Sequence, residues 1–595
     1  MRRQRGATTG RAYQRPDLRH PRAGRLHLGH LHARARRSHL HRHPFGRRSH
    51  DGHVPPARRR RYDHDRGSRH DDESLRGARA LEVSDLDDLP DVANVADVAI
   101  VGAGPAGAVA AKLCGVHGLT AVAFDREPDV YELPRAVGMW DDVQRILDNA
   151  GVLETALPSM CEHVGAEFVD ADGTRINGIE LPPGFVTASG YPFIRGFHQP
   201  DLERAVRLRL ANHAGIELHV SHEVLEIVQT HDHVSLVVRN LARGDTRTVR
   251  ARWLLGCDGA ASLVRKSCGV SWDSLGYDHE WLVVDVAITG DVELPPLMTQ
   301  VCDPARPTTV IPLPLGMHRW EFQLRDGETR EEMEDRERVW SLLAPWMSRT
   351  NGEILRAVVY RFHATIADTF RRGRIFLAGD AAHQTPPFMG QGLCSGMRDV
   401  DNLIWKLAHV THGLAGDALL DTYTEERRPM AIAMVEHSVK TGMLIDAYAQ
   451  MAVGGPEPPA DLQAYAYGGS AQLPHLSTGL LAQQESEWIG RPIPQCAAAT
   501  DDRRGSFDDI VGPRWAVVSK LDPRQRLSEQ SRRYWEDLGA AFVWVPEPEG
   551  AILGVLLQHE MVVVRPDRIV YAIGDEHPDL QASTSDEAAN STSRA

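Results

Sequence analysis

Three short segments carry glycine and aspartate in the patterns that hold dinucleotide phosphates and riboses. The first is Gly102-Ala103-Gly104-Pro105-Ala106-Gly107. It follows an apolar run, Asp97 to Val101, that suits a buried parallel strand, and it precedes a helix-prone stretch from Ala108 to Cys114. Gly102 permits a tight turn, Gly104 lets backbone approach a pyrophosphate, and Gly107 lets helix pack on strand. The helix N-terminus then presents free N–H groups and a partial positive charge. A second apolar run, Leu119 to Phe124, ends at Asp125, where the dinucleotide fold places its ribose-binding acid. A chance glycine turn would lack this register of strand, glycines, helix, strand and acid. The motif alone does not distinguish a nicotinamide from a flavin dinucleotide.

The other two segments lie far along the chain. Arg252 to Gly259 reads as a strand ending in Cys257-Asp258-Gly259, followed by Ser262 and Arg265. Arg374 to Asp380 reads as a strand ending in Gly379-Asp380, and it runs through His383, Pro387, Phe388 and Met389 into Gly390-Gln391-Gly392-Leu393. In this order the three segments resemble the single-component flavoprotein aromatic hydroxylases of the para-hydroxybenzoate hydroxylase type. The resemblance implies FAD. It implies that Asp380 holds the ribityl chain, that Asp258 serves both FAD and the nicotinamide cofactor, and that the turn Gly390–Leu393 opens a long helix facing the flavin pyrimidine. A helix N-terminus suits the anionic charge of reduced flavin. Cofactor contacts are accordingly expected at Gly102, Ala103, Gly104, Ala106, Gly107, Asp125, Arg126, Arg135, Gln199, Asp258, Gly379, Asp380, Pro387, Gly390, Gly392 and Leu393, with Arg135 at the phosphates and flavin edge.

Further segments narrow the likeness to the 3-(3-hydroxyphenyl)propionate hydroxylase branch: Pro134-Arg135, Phe197 to Pro200, Cys302 to Pro307, Arg319 to Phe322, Gly327 to Thr329, Gly396 to Leu403, and Leu420 to Arg428. The resemblance runs from about residue 92 to about 575 and departs at Phe388-Met389. It implies an NAD(P)H- and oxygen-dependent monooxygenase, NADH favoured, that hydroxylates a phenolic aromatic acid next to its OH through a C4a-hydroperoxyflavin. The cofactor carries the hard chemistry, so no Ser-His-Asp set or metal is required. A catalytic base is not identified. His363, before the Gly-Asp strand, and Pro387, through its carbonyl, are the candidates; His198 is weaker, and His383 reads as structural. A substrate carboxylate would need a basic partner, for which Arg195 and Arg319 are the guesses. The alternatives are a polyketide- or antibiotic-tailoring hydroxylase, a reductase of the geranylgeranyl-reductase type, and a non-enzymatic FAD-binding scaffold.

These segments must be positioned by an α/β architecture. The expected fold is a Rossmann-like, glutathione-reductase-type FAD domain (92–160, 198–275, 358–440) with an inserted antiparallel substrate sheet (161–197, 276–357). A helical and linker region (441–490), a thioredoxin-like domain (491–578) and a disordered tail (579–595) complete it. In the last domain, Trp515 to Ser519 and Ala540 to Val545 read as strands around a helix from Pro523 to Gly539. Met561 to Ile573 reads as a hairpin. With no Cys-x-x-Cys and Cys496 alone, thiol redox chemistry is not expected.

Composition sets outer limits. The chain has 595 residues, 42% hydrophobic, and no apolar run of spanning length. Seven scattered cysteines give neither a disulfide framework nor metal spacing and suit a reducing cytoplasm. The net charge of −14 hides a split: the first 70 residues carry 20 Arg, no Lys and four Asp, which leaves −30 on the rest. An acidic body argues against nucleic-acid binding. The expected partner is a small aromatic substrate, with a homodimer as the candidate assembly. Residues 1–90, rich in Arg and His, cannot bury enough surface to fold, and translation upstream of a natural start near Val83 or Val92 is the favoured reading.

Overall fold

The computed structural model describes residues 92–581, except 212 and 466–473. The expectations for residues 1–90, and for the tail beyond 581, lie outside the described residues. Residues 579–581 are not a free tail, however. Leu580 is buried, and its carbonyl accepts a 2.6 Å hydrogen bond from the Gly416 N–H.

The dinucleotide sheet is parallel at its centre. Its order is Ile375–Leu377, Thr246–Gly256, Val92–Val101, Ala121–Phe124 and Ile216–His219. Apolar residues fill both faces, as a parallel sheet covered by helices demands. Register decides the function of this sheet. Val101 pairs with both Phe124 and Gly256, and Gly256 pairs with Leu377. Four strands therefore end level, and Gly102, Asp125, Cys257 and Gly379 emerge at one edge. Ligands bind in open α/β sheets at this carboxyl edge. The front half of Thr246–Gly256 also pairs with Val234–Asn240, which pairs with His222–Gln229, giving an antiparallel excursion away from the crevice.

A second eight-stranded sheet runs His383–Gln384, Gly352–Ala367, Trp272–Ile288, Met317–Gln323, Thr308–Leu313, Met298–Val301, Gly165–Val169 and Arg175–Glu180. Its outer face carries Leu282, Val284, Val310, Trp320 and Phe322, which pack with Met333, Val339 and Leu343 from two short helices. Two expectations need correction. The sheet is not wholly antiparallel, since Met298–Val301 and Gly165–Val169 are parallel. Nor does all of 161–197 join it: Met160–His163 and Ile194–Phe197 form a separate three-stranded sheet with Gly138–Trp140. That small sheet frames the loop carrying Arg135.

The long helix Gln391–Thr411 lies against helix Pro105–Val116. Helix Thr422–Ala452 runs unbroken past residue 440, the expected edge of the FAD domain, and tolerates Pro429 in its interior. The C-terminal region builds a six-stranded sheet in the order Arg504–Ser506, Ala497–Ala499, Ala541–Trp544, Ala516–Ser519, Met561–Val564, Val570–Ile573. The helix expected over 523–539 is confined to Glu529–Asp537, after a short turn at Pro523–Gln525, because Ser528 caps it there. Helix Ala551–Gln558 was not anticipated.

Buried charge joins this region to the rest. Arg145 pairs with Asp508 at 2.6 Å, and Arg568 pairs with the same carboxylate at 2.7 Å. Glu426 accepts from Lys406 and Arg565, and Arg565 also pairs with Asp567. All lie in the interior, where removing one partner of such a pair typically costs about 3–5 kcal/mol. The domain is fixed in place rather than tethered.

Candidate active site

The first glycine turn separates three roles that the motif only implied. Gly102 sits at φ +89°, and a Cβ there would stand 2.4 Å from the Cys257 carbonyl oxygen. A Cβ on Gly107 would stand 1.9 Å from the Gly102 carbonyl oxygen. These two glycines are required by the protein's own packing. A Cβ on Gly104 would meet nothing within 4 Å. The space beside Gly104 is left for something else. Gly104 caps helix Pro105–Val116 with no side-chain acceptor and no acid in the first turn, so the N–H groups face that space unpaired. Asp125 steadies the turn, its Oδ2 accepting from Ala103 N–H at 2.8 Å and its Oδ1 from Glu127 N–H at 2.9 Å. A carboxylate has about four lone-pair sites, so capacity remains for ribose hydroxyls. Ala103 is buried in the turn, and Arg126 is exposed, with Glu127 as its ion-pair partner at 3.4 Å.

The Gly-Asp segment comes to the same crevice. Gly379 and Ala106 are close enough that a Cβ on Gly379 would lie 3.6 Å from the Ala106 Cβ. Asp399, buried on the long helix, holds the turn: its Oδ2 accepts from Gly379 N–H at 3.0 Å and pairs with His383 Nε2 at 2.7 Å, while its Oδ1 takes Arg427 Nε at 2.9 Å. Burial opposes the charged form of Asp399, but His383 and Arg427 outweigh it and hold the carboxyl at about 2. Asp380 is different. Solvent reaches it, yet protein surrounds it, which is the signature of a cleft wall. Burial raises its pKa, with His383 and Arg135 pulling the other way. Arg135, 245 residues away in sequence, is thus close enough to act on the Asp380 carboxyl.

The Arg135 loop is positioned from two sides. Gln199 Oε1 accepts from the N–H groups of Arg135 and Ala136 at 3.0 and 2.8 Å, and its amide donates to Glu203. From the second sheet, Arg319 donates to the carbonyls of Arg135 and Pro134 at 2.7 and 2.6 Å, and Arg356 donates to Pro134 at 2.5 Å. Asp285 neutralises Arg319 at 2.7 Å and lies 3.5 Å from Arg356. Arg319 is therefore a buried organiser of the loop and not a surface arginine offered to a substrate carboxylate. Arg195 fails that role too, since it donates to Gln144 and Glu162 in the small sheet. Sequence reasoning missed Asp285, although an acid inside the apolar run Leu282–Ile288 was a signal.

The third turn is also fixed by the fold. Pro387–Met389 form one tight turn, closed by Gly390 at φ +62°. Ser438 donates to the Pro386 carbonyl at 2.8 Å, and Trp140 Nε1 donates to the Met389 carbonyl at 3.2 Å. The Pro387 carbonyl already accepts from Gly390 N–H at 2.8 Å, so only its second lone pair remains for another partner. Helix Gln391–Thr411 then starts with no side-chain cap and no acid in its first turn, and a Cβ on Gly392 would meet nothing within 4 Å. Leu393 is half-buried beside it. Two uncapped helix N-termini thus border one crevice. Arg398, on the same helix, braces the start by bonding Gln391 Oε1 and pairing with Asp142.

Not every candidate reaches the crevice with free groups. Asp258 spends its carboxylate on Ser262 Oγ at 2.5 Å and Val264 N–H at 3.1 Å, so it fixes the turn that meets Gly102. His198 pairs with Asp201 at 2.7 Å. His363 lies exposed on Gly352–Ala367, two residues before Thr365, which pairs with Gln384. Among the described residues, no group of three or more His, Cys, Asp or Glu could hold a metal, and no helix is long and apolar enough to cross a membrane.

Gly104, Gly392, Asp380 and the two free helix ends fit a dinucleotide that is long enough to span the edge of the sheet. Comparison with known proteins agrees. Residues 95–438 match the FAD binding domain family, and residues 490–560 match the HcaD C-terminal domain family. The chain is 33% identical to a probable NADH-specific resorcinol 4-hydroxylase of Rhodococcus jostii, over 80% of this chain and 91% of that one. It is 33% identical to a 3-(3-hydroxy-phenyl)propionate/3-hydroxycinnamic acid hydroxylase of Burkholderia vietnamiensis, over 79% and 92%. Among solved structures, an aklavinone-11 hydroxylase with FAD and aklavinone superposes with a TM-score of 0.69 at 21% identity, over 84% of this chain and 99% of that one. Taken with the crevice, the match over most of the chain identifies it as a member of the FAD-dependent aromatic hydroxylases.

Proposed function

We propose that the chain hydroxylates a single-ring phenol next to its OH, with NADH as reductant and molecular oxygen as oxidant, and that 3-(3-hydroxyphenyl)propionate is the leading substrate type. The observation that carries the reading is the level ending of four strands, which gathers Gly102, Asp125, Cys257 and Gly379 beneath a separate sheet. The names of the two relatives at 33% identity support a one-ring phenol and NADH. When bound, FAD supplies hydride acceptance and oxygen activation.

The chain's own residues then have definite tasks. The Gly102–Gly107 turn, with Ala103, Ala106, Asp125 and Arg126, holds the adenosine diphosphate half. Arg135, Asp380 and Gly379 hold the ribityl and phosphate region, with Gln199 and Asp258 as positioning residues. Pro387, Gly390, Gly392 and Leu393 would hold the ring system, where the free N-terminus of Gln391–Thr411 favours negative charge. Trp281 and Phe388, in edge contact at 5.4 Å between centroids, exclude water from the reacting ring. His363, the candidate proton carrier for the phenol, lies exposed and would have to act from outside the crevice. The strand order of the C-terminal sheet supports a thioredoxin-like domain with a fastening role, given the buried ion pairs.

The test is NADH oxidation by the FAD-loaded protein against a phenylpropanoid panel and a polycyclic panel. Stimulation by the first alone supports the proposal. Stimulation by the second alone would make an antibiotic-tailoring hydroxylase the better reading.

A further inference from the structure

The inner face of the second sheet carries a short polar row in which two buried groups have no hydrogen-bond partner among the described residues. Glu321 and Gln323 lie two apart on one strand and so share a face, and Gln323 pairs directly with Trp281 on the next. Diagonal neighbours on such a face lie about 7–8 Å apart, within reach of one small ring. This face looks toward the crevice. Arg319, two residues before Glu321, reaches the Pro134–Arg135 loop, and Trp281 touches Phe388 of the third turn.

The groups in the row are unusual for their burial. Trp281 is 2% exposed, and its Nε1 finds no hydrogen-bond acceptor among the described residues. Gln323 Oε1 is likewise buried without a donor. Glu321 makes no hydrogen bond among the described residues, and its nearest cation there is Arg319 at 3.8 Å, which Asp285 already neutralises. Buried polar groups left unpaired cost about 1–3 kcal/mol each, so Trp281 and Gln323, with the weakly paired Glu321 beside them, call for a partner. Burial raises the pKa of Glu321, and solvent still reaches it slightly, as expected of a cleft wall.

The orphaned Trp281 Nε1 is a donor, the orphaned Gln323 Oε1 is an acceptor, and the Glu321 carboxylate accepts. A hydroxyl can donate once and accept twice, so one ring OH can accept from the Trp281 N–H and donate to one of the two acceptors. A carboxylate only accepts, and it would face the Glu321 and Gln323 oxygens. Resting on the phenol-hydroxylase reading above, we propose that Trp281, Glu321 and Gln323 form the subsite that recognises the ring hydroxyl of the substrate, and that a carboxylate tail points away from it. These residues set specificity for a hydroxylated ring.

Calorimetry on the FAD-loaded protein, without NADH so that no turnover occurs, tests this. The ligand pair is the phenol that best stimulates NADH oxidation and its analogue lacking the ring OH, beginning with 3-(3-hydroxyphenyl)propionate and 3-phenylpropionate. Trp281→Phe keeps the ring against Phe388 and removes only the N–H. It should weaken the hydroxylated ligand about 2- to 10-fold, the range for one neutral hydrogen bond, and leave the other within about 2-fold. Glu321→Gln should discriminate more strongly, about 10-fold or above, because its bond is charge-assisted. Unchanged binding of the deoxy ligand also reports an intact fold. Equal loss of both ligands, or no loss of either, would overturn the subsite. A wild-type protein that no phenol stimulates would instead overturn the phenol-hydroxylase reading, and the subsite with it.

Discussion

The three glycines of the first turn should respond to substitution in opposite ways. Gly102→Ala places a side chain at φ +89°, costing about 1–2 kcal/mol in backbone conformation alone, and adds an overlap with the Cys257 carbonyl at 2.4 Å. Gly107→Ala drives a methyl to 1.9 Å from the Gly102 carbonyl oxygen, so helix and turn must part, with an overpacking cost of about 1–3 kcal/mol or more. Gly104→Val is the informative one. Its backbone, φ −67° and ψ −170°, is open to any residue, and its Cβ meets no protein atom within 4 Å. The apoprotein should therefore unfold within about 0.5 kcal/mol of wild type, as surface changes do. Flavin binding should nevertheless be abolished, because the methyls occupy the approach to the pyrophosphate. Thermal unfolding of each apoprotein, paired with FAD titration by fluorescence quenching, separates the two effects. Stoichiometric FAD in Gly104→Val, or a loss of stability equal to that of Gly107→Ala, would refute the assignment of that empty space.

Asp380→Ala should leave the fold intact but weaken FAD about 10- to 100-fold, the loss of a charge-assisted hydrogen bond of about 1.5–3 kcal/mol; unchanged affinity in an equilibrium titration would show that the carboxylate does not reach the cofactor. Arg145→Met leaves Asp508 buried with Arg568 alone and should cost about 3–5 kcal/mol in urea unfolding, with flavin lost in the same transition because the C-terminal region is fixed to the helix Asp141–Asn149. Acid should act through Asp399 and Glu426. Burial opposes the charge on each, but their cations hold both carboxyls at about 2, below the ordinary range, so the stability they contribute is full above about pH 4.5 and is lost as pH falls through about 2. Unfolding free energies measured from pH 6 to pH 2 should decline in that window, and Glu426→Gln should decline less steeply.

Much of the site was legible because its local rules are strict. An apolar run, three glycines and an acid at fixed spacing admit few folds, and the strand Val92–Val101 and helix Pro105–Val116 follow from them. What was not legible depended on partners distant in sequence. Arg319 read as a surface arginine, or at most a partner for a substrate carboxylate, because the acid that buries with it, Asp285, stands 34 residues away. Cross-strand register brings the two together, and register cannot be read from composition. The ends of segment 161–197 were misassigned for a similar reason: its short strands alternate in the same way whichever sheet they join. Helix Ala551–Gln558 was missed because its run, Ala-Ile-Leu-Gly-Val-Leu-Leu-Gln, has no side-chain cap to mark its start and is too short for periodicity to identify. Asp399 and Arg427 stood in segments that resembled the family, but their joint task of holding Gly379 required the fold.

Incubating the FAD-loaded protein with NADH, 3-(3-hydroxyphenyl)propionate and oxygen-18 gas would decide whether this crevice hydroxylates a phenol. The expected product is a catechol carrying one labelled oxygen beside the original OH, formed in proportion to the NADH consumed and with little hydrogen peroxide. Label entering from water instead of gas, or NADH consumed with peroxide as the sole product across the phenol panel, would contradict the proposed chemistry.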